Sequence, residues 1–341
     1  MTTAGVTKWL RFRHGGATGF GTLTPSGIAV HDGEMFGRNV PNGRLLAPSD
    51  VELLAPSAPS KIVALWNNFR ALAAKLNQPE PPEPLYLLKA TTSIAAPGTV
   101  IRRPFSYDGK TTYEGELGIV IGKTCSRVSK AEADTFIFGY TCVNDITAND
   151  ILTRDPTFAQ WARAKGIDDY GPFGPVIATG LDPAKLVVRT ILNGVERQNY
   201  PISDMIFSAQ ELVSHISHDM TLLPGDLIAV GTSVGVGVMK EPVNTVTVAI
   251  DGIGELTNEF RLWPSSRTVS SAHLRHSGAP RSREPGMTFA PSCSGSRIIS
   301  ATHAQPNLIL QHAARSPHCR RIRTPIFDLL GEHGRLRSCF V

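Results

Sequence analysis

The sequence predicts an α+β fold dominated by strands, and three observations predict it. Short runs of β-branched and aromatic residues recur between glycine-containing turns, as in KWLRF, FGTL and IAVHDGEMFG. The stretch Tyr113–Lys123, YEGELGIVIGK, places residues with the two-residue period of a strand. Helix-prone stretches are few and short, near 70–76, 146–165 and 208–217.

Residues 1–56 read as a small N-terminal β-rich unit with a turn at His31-Asp32-Gly33 and no chemical constellation. A structural cap or dimer element is the expected role. Ser60–Phe69 reads as a buried strand that runs into a short helix or loop over Arg70–Leu76. The proline-rich Gln78–Pro84 enforces an extended segment. Leu85–Ser93 is a strand with one basic residue, Lys89, which on the residues alone is a solvent-facing lysine.

Glu114 and Glu116 are two apart, so a strand puts both carboxylates on one face and apolar residues on the other. Two adjacent carboxylates repel unless something positive lies between them. The alternatives are a metal site and a solvated edge strand, and the spacing alone leaves both open. Tyr140–Thr147, YTCVNDIT, is a β-rich run that ends in a third acid, Asp145. Three carboxylates without His or Cys would make a hard, all-oxygen site suited to Mg2+, Mn2+ or Ca2+.

Beyond Asp145 the chain is polar and helix-prone to about Lys165, and Gly-Pro turns are expected at 171–172 and 174–175. Ser208-Ala-Gln-Glu211 is a capping box that opens a helix to about Ser217. His215 and His218 share one face of that helix, but no further zinc ligands lie near them in sequence. Pro224-Gly225-Asp226 is a turn before the strand LIAVG. Gly235–Val238 is glycine-rich without the strand–loop–helix context of a dinucleotide site. Val243–Phe260 reads as a hairpin around Asp251-Gly252.

The net charge of +5 misleads, because residues 264–341 carry eleven Arg, no Lys and three acids, whereas the preceding residues are net −3. The basic balance therefore belongs to an atypical C-terminal extension, read as disordered, and no nucleic-acid partner is expected for the folded part. The five cysteines have no CxxC and no regular spacing, which excludes a disulfide framework or zinc site. No run of about eighteen apolar residues and no apolar signal-peptide core occur, so the expectation is a cytoplasmic protein without a membrane partner.

YEGELGIVIGK, GYTCVNDIT, ARAKGIDDYGPFGP and LLPGDLIAVGT, in that order and spacing, resemble the fumarylacetoacetate hydrolase superfamily. The similarity spans about Ser57–Phe260 and implies that family's mixed β-rich roll with flanking helices, here with the small N-terminal β unit added. The domains would be 1–56, a catalytic domain over 57–263, and the extension over 264–341. The resemblance implies Glu114, Glu116 and Asp145 as ligands of Mg2+ or Mn2+, and a homodimer. It implies Lys165 as the catalytic lysine beside the metal. Three carboxylates with one divalent cation leave a net charge near −1, so an anionic substrate needs Lys165 and, more weakly, Arg163 or Arg154. It also implies that Thr232 and Lys89 lie at the substrate.

Two departures from the family pattern bear on the reaction. Members that hydrolyse C–C bonds carry a His–Glu pair in a mobile lid, and the aligned positions here are Leu72 and Lys75. Leucine cannot take a proton, and an ordinary lysine is charged at pH 7. Asn149 and Leu152 stand where many relatives have a substrate-contacting Arg and Gln, so substrate identity does not carry over. The expected function is metal-dependent decarboxylation or isomerisation of a 2-oxo (di)carboxylic acid, as in the decarboxylase/isomerase branch of homoprotocatechuate degradation. The alternatives are a C–C hydrolase of an acylpyruvate or fumarylacetoacetate-like substrate, and an inactive metal-binding paralogue.

Overall fold

A computed structural model describes residues 5–262, and the extension expected over 264–341 lies outside the described residues. The first strands form a meander, β1 (Thr7–His14), β2 (Ala17–Thr24), β3 (Gly27–Gly33) and β4 (Asn39–Leu46), and β5 (Glu52–Leu53) returns to β1. β6 (Ile62–Trp66), α1 (Arg70–Lys75), β7 (Leu85–Lys89), β8 (Ile94–Ala95) and β9 (Val100–Arg102) follow. Next come β10 (Thr111–Tyr113), β11 (Gly115–Ile121), β12 (Ile137–Asn144) and β13 (Thr147–Ala148). Two short helices, α2 (Asn149–Leu152) and α3 (Trp161–Lys165), lead to β14 (Gly171–Thr179), β15 (Val187–Leu192) and β16 (Val195–Pro201). The chain then forms α4 (Ala209–Asp219), β17 (Leu227–Ala229), β18 (Gly237–Val238), β19 (Val243–Ile250) and β20 (Gly254–Arg261).

One large mixed sheet runs in the order β4-β3-β2-β1-β14-β12-β11-β17-β6-β7. The N-terminal meander joins it directly, because Thr7, Lys8 and Trp9 of β1 pair with Thr179, Ala178 and Ile177 of β14. A second sheet, β16-β15-β19-β20-β9, packs its apolar face on the first. Leu117, Ile119, Cys142 and Val176 meet Val188, Val248, Ile250 and Leu256 in one buried cluster, with Leu212, Val213 and Ile216 of α4. A short sheet, β13-β10-β18, closes the end where the acids gather.

The capping box forms as read: Ser208 accepts from the Glu211 N–H, and the Glu211 carboxylate accepts from the Ser208 N–H. β19 and β20 make the expected hairpin, with Gly252 at φ +86 in its turn. The expected Gly-Pro turns at 171–175 do not form; these residues begin the nine-residue strand β14. The ladder absorbs them with a bulge, since Cys142 faces Gly174 while Tyr140 faces Ala178. A proline within a sheet is tolerated at such an irregularity. The helix expected up to Lys165 is two short helices separated by turns around Asp155-Pro156.

Cys125 and Cys142 are free and buried, as small apolar residues would be. No helix among the described residues is long and apolar enough to cross a membrane.

Candidate metal centre

β11 lies between β12 and β17, so every one of its residues is buried and the edge-strand alternative does not apply. Glu114, just before β11, and Glu116, within it, lie beside the end of β12, because Gly115 pairs with Asn144 and Glu116 with Val143, and Asp145 follows Asn144. Carboxylate oxygens of Glu114, Glu116 and Asp145 lie within 4.8 Å of one another. The residue between the glutamates is Gly115 because the second sheet passes close: a Cβ there would sit 1.9 Å from Thr190 Oγ1. The Asp145 N–H donates to the Glu114 carbonyl (2.8 Å), which locks the two ligand-bearing segments together.

Three like charges in a buried pocket need compensation, and two lysines supply it. Lys165, at the last position of α3, donates to Glu114 Oε2 (2.9 Å) and Asp145 Oδ2 (2.5 Å). Lys89, at the end of β7, donates to Asp145 Oδ1 (2.6 Å) and to the carbonyls of Lys165 (2.5 Å) and Tyr170 (3.1 Å). Thr147 donates to Glu114 Oε1 (2.5 Å), and the Gly231 N–H donates to Glu116 Oε2 (2.9 Å). Glu116 Oε1 alone is left buried without a partner.

The protonation equilibria follow from these neighbours. Burial first, then the charge of Asp145, pushes Glu116 well above the usual carboxylate range, against the pull of Lys165. Burial would raise Asp145 as well, but Lys165 and Lys89 outweigh it and hold this carboxyl below its ordinary value. Lys165 is raised, because Asp145, Glu114 and Glu116 together overcome its burial. Lys89 is lowered, because burial outweighs the attraction of Asp145.

The donor set fits a hard divalent cation. All candidate ligands are carboxylate oxygens, and the unpartnered Glu116 Oε1 is a buried acceptor that a cation would satisfy. Fully ionised, the three acids and two lysines carry one net negative charge; a divalent cation makes it one net positive charge, suited to an anionic ligand.

The other residues singled out in the sequence fall into different places. Lys89 lies at the centre, but its three donors are already used by protein acceptors. Lys165 uses two donors on carboxylates and keeps one. Arg163 is exposed and donates to Gln160 Oε1 (2.9 Å); two residues from Lys165, it lies about 200° round the helix. Thr232 is buried, donates to the Gly115 carbonyl (3.0 Å) and accepts from Gln198 Nε2 (2.9 Å). Leu72 packs against the main core and Lys75 is exposed. Leu152 is buried in a second apolar cluster with Tyr113, Ile146 and Tyr170, while Asn149 Oδ1 is buried without a partner.

The sequence reading missed Thr147 and Asn144, which accepts from the Glu114 N–H through its side chain (3.1 Å). Their signal was available: both flank Asp145 within NDIT, and Thr147 repeats the two-residue spacing. His215 and His218 form no metal site; His218 Nδ1 meets the Ser214 carbonyl (2.8 Å) and His215 packs edge-on against Phe207.

A family model described as fumarylacetoacetate (FAA) hydrolase C-terminal matches residues 61–261, and one described as Rv2993c-like, N-terminal matches residues 7–56. The oxaloacetate tautomerase YisK of Bacillus subtilis is 38% identical over 225 residues, covering 62% of this chain and 74% of that protein. The crystal structure of 2-hydroxyhepta-2,4-diene-1,7-dioate isomerase from Mycobacterium marinum aligns with TM-score 0.68 at 38% identity, over 75% of this chain and 98% of that one. Fumarylpyruvate hydrolase from Pseudomonas aeruginosa, in complex with Mn2+ and pyruvate, aligns with TM-score 0.56 at 27% identity, over 62% and 92% of the two chains.

Proposed function

The chain belongs to the fumarylacetoacetate hydrolase family, and from that premise we propose that it tautomerises or decarboxylates a 2-oxo (di)carboxylic acid with Mg2+ or Mn2+ bound. Glu114, Glu116 and Asp145 would hold the cation. When bound, it supplies Lewis-acid stabilisation of the negative charge that develops on the 2-oxo oxygen. Lys165 then carries the protein's own part of the chemistry. Its third N–H, not used on the carboxylates, would be available to an anionic substrate, and its raised pKa keeps it an ammonium at neutral pH. Lys89 holds Asp145 and the carbonyl of Lys165, so it fixes where that ammonium lies. Thr232, Arg163 and Lys89 remain expectations as substrate contacts. For Thr232 to donate, its hydroxyl must leave the Gly115 carbonyl.

The observation that carries the choice of reaction is α1. Hydrolysis requires a base to deprotonate water, whereas Leu72 is half-buried against the core and Lys75 faces solvent. The tautomerase and isomerase activities of the two relatives near 38% identity support the same choice. The hydrolase reading is supported by the fumarylpyruvate hydrolase at lower identity.

The deciding experiment supplies oxaloacetate with Mg2+ or Mn2+ and follows enol–keto exchange and CO2 release, beside cleavage of an acylpyruvate. Exchange or CO2 release faster than cleavage is expected. Introducing Leu72→His with Lys75→Glu should raise cleavage relative to the other two rates. Efficient acylpyruvate cleavage by the parent overturns the reading, and no turnover of any substrate favours the inactive paralogue. The proposed homodimer is checked by light scattering after gel filtration.

A further inference from the structure

Tyr113 ends β10, one residue before Glu114 of the metal centre. Beside it lies a cavity of about 470 Å3, lined by Tyr113, Arg197, Lys240 and the loop Gly235–Val238, with Glu241 as its one acid. Its size falls within the range of about 300–1,000 Å3 usual for small-ligand sites. The Tyr113 hydroxyl donates to the Gly235 carbonyl (2.9 Å) and so ties the glycine loop to β10. Gly235 has φ +97, and a Cβ there would sit 2.1 Å from the Arg197 carbonyl, so the loop is seated directly on β16. That seating brings the Arg197 and Lys240 side chains to one concave surface.

Most surface cations are solvated and mean nothing. This pair differs in lining one cavity while neither forms an ion pair among the described residues. The neighbouring amides are tied to the frame through one bond each way: Asn193 Oδ1 accepts from the Thr245 N–H, and Asn244 Nδ2 donates one hydrogen to the Glu241 carbonyl. The two cations supply the charge that would recognise a ligand, while Leu192, Val236 and Val238 offer an apolar wall to a short hydrocarbon segment.

We propose that this cavity is a second binding site, separate from the metal centre, for a small organic anion bearing a carboxylate or phosphate. With Glu241 counted, the lining carries one net positive charge, enough to favour an anion and too little for a polyanion such as nucleic acid. The loop that forms the site continues from Gly231 and Thr232, which hold Glu116 and Gly115, so an occupant borders the segment that supports the metal centre.

The test is calorimetric titration of the full chain, stripped of metal on a chelating resin, with succinate and separately with inorganic phosphate at constant ionic strength. Saturable binding of at least one probe is expected, and the preferred probe tells carboxylate from phosphate recognition. Arg197→Ala and Lys240→Ala, both at exposed positions, should each weaken it by about tenfold. Glu116→Gln should leave it unchanged. Absence of saturable binding by either probe overturns the proposal, as does binding that survives either cation's removal. Binding lost in Glu116→Gln would assign the anion to the metal centre instead.

Discussion

Glu116→Gln isolates the metal-binding role of the centre from its structural role. Glu116 makes one hydrogen bond, from the Gly231 N–H to Oε2, and a glutamine oxygen can accept it equally. Its Oε1 has no partner, and Lys165 is spent on Glu114 and Asp145. The substitution therefore exchanges a carboxyl that burial and the charges of Asp145 and Glu114 hold protonated for a neutral amide, and it breaks no ion pair. The metal-free variant should melt at or above the temperature of the metal-free parent. With cation at a hundred times its dissociation constant the parent gains about 2.7 kcal/mol. For a folded body of this size that raises the melting temperature by about 5–11 °C. The variant, left with two carboxylates, should gain little. The assay is differential scanning calorimetry with and without Mg2+ or Mn2+, paired with titration calorimetry for the dissociation constant. An equal metal-dependent rise in both proteins would refute the assignment of Glu116 as a ligand. A metal-free variant that melts well below the parent would show that Oε1 serves the fold.

Because Glu116 lies well above the usual carboxylate range, metal binding at neutral pH should displace a proton from it, and affinity should rise with pH until Glu116 ionises unaided; an apparent binding enthalpy that does not depend on the buffer's protonation enthalpy would contradict this. Glu211 is held down to about 2 by Lys130 and by the Ser208 N–H and hydroxyl. Its folded value lies below the unfolded one, so its contribution is present above the unfolded value and is lost as pH falls toward 2. As Lys130 is largely exposed, Glu211→Gln should cost only about 0.5–1 kcal/mol at pH 7 and almost nothing near pH 2, read from urea melts at both. Asp226 is fully buried and accepts from the N–H groups of Ser60, Lys61 and Leu223, the Ser60 hydroxyl and the Lys61 ammonium. Asp226→Ala should cost about 3–5 kcal/mol in urea unfolding and leave metal affinity in the folded fraction unchanged.

What the sequence made legible was local and periodic. The two-residue spacing of Glu114 and Glu116, the acid at the end of a β-rich run, the Ser208–Glu211 box and the Asp251-Gly252 hairpin each need only neighbouring residues. What it hid depends on partners far along the chain. Lys89 reads as one exposed lysine on a strand, because its three acceptors come from residues 145, 165 and 170. Arg163 and Lys165 look alike in ARAK, and only the docking of α3 decides that one is buried and the other exposed. The prolines of GPFGP signal turns by propensity, but pairing with β8 and β12 turns the segment into a strand with a bulge. The same propensity signals were right at Gly252, where no neighbouring strand competed for the turn.

The two buried lysines also bear on which reaction this centre suits. A base that activates water must be able to give up its own proton near neutral pH. Lys165 is raised by three carboxylates, so it stays an ammonium and can only donate. Lys89 is lowered, but all of its donors face protein acceptors and none faces open space. The described histidines lie elsewhere: His31 bonds Asn39, His218 meets Ser214, His215 packs on Phe207, and His14 ends β1. On α1, Leu72 packs against the core and Lys75 is exposed, and neither is a base at neutral pH. The centre is therefore supplied with positive charge and short of bases. That asymmetry supports the proposed reading, in which the difficulty is stabilising negative charge on an oxygen, as in keto–enol exchange or loss of CO2 from a 2-oxo acid. It disfavours one whose difficulty is making hydroxide from water.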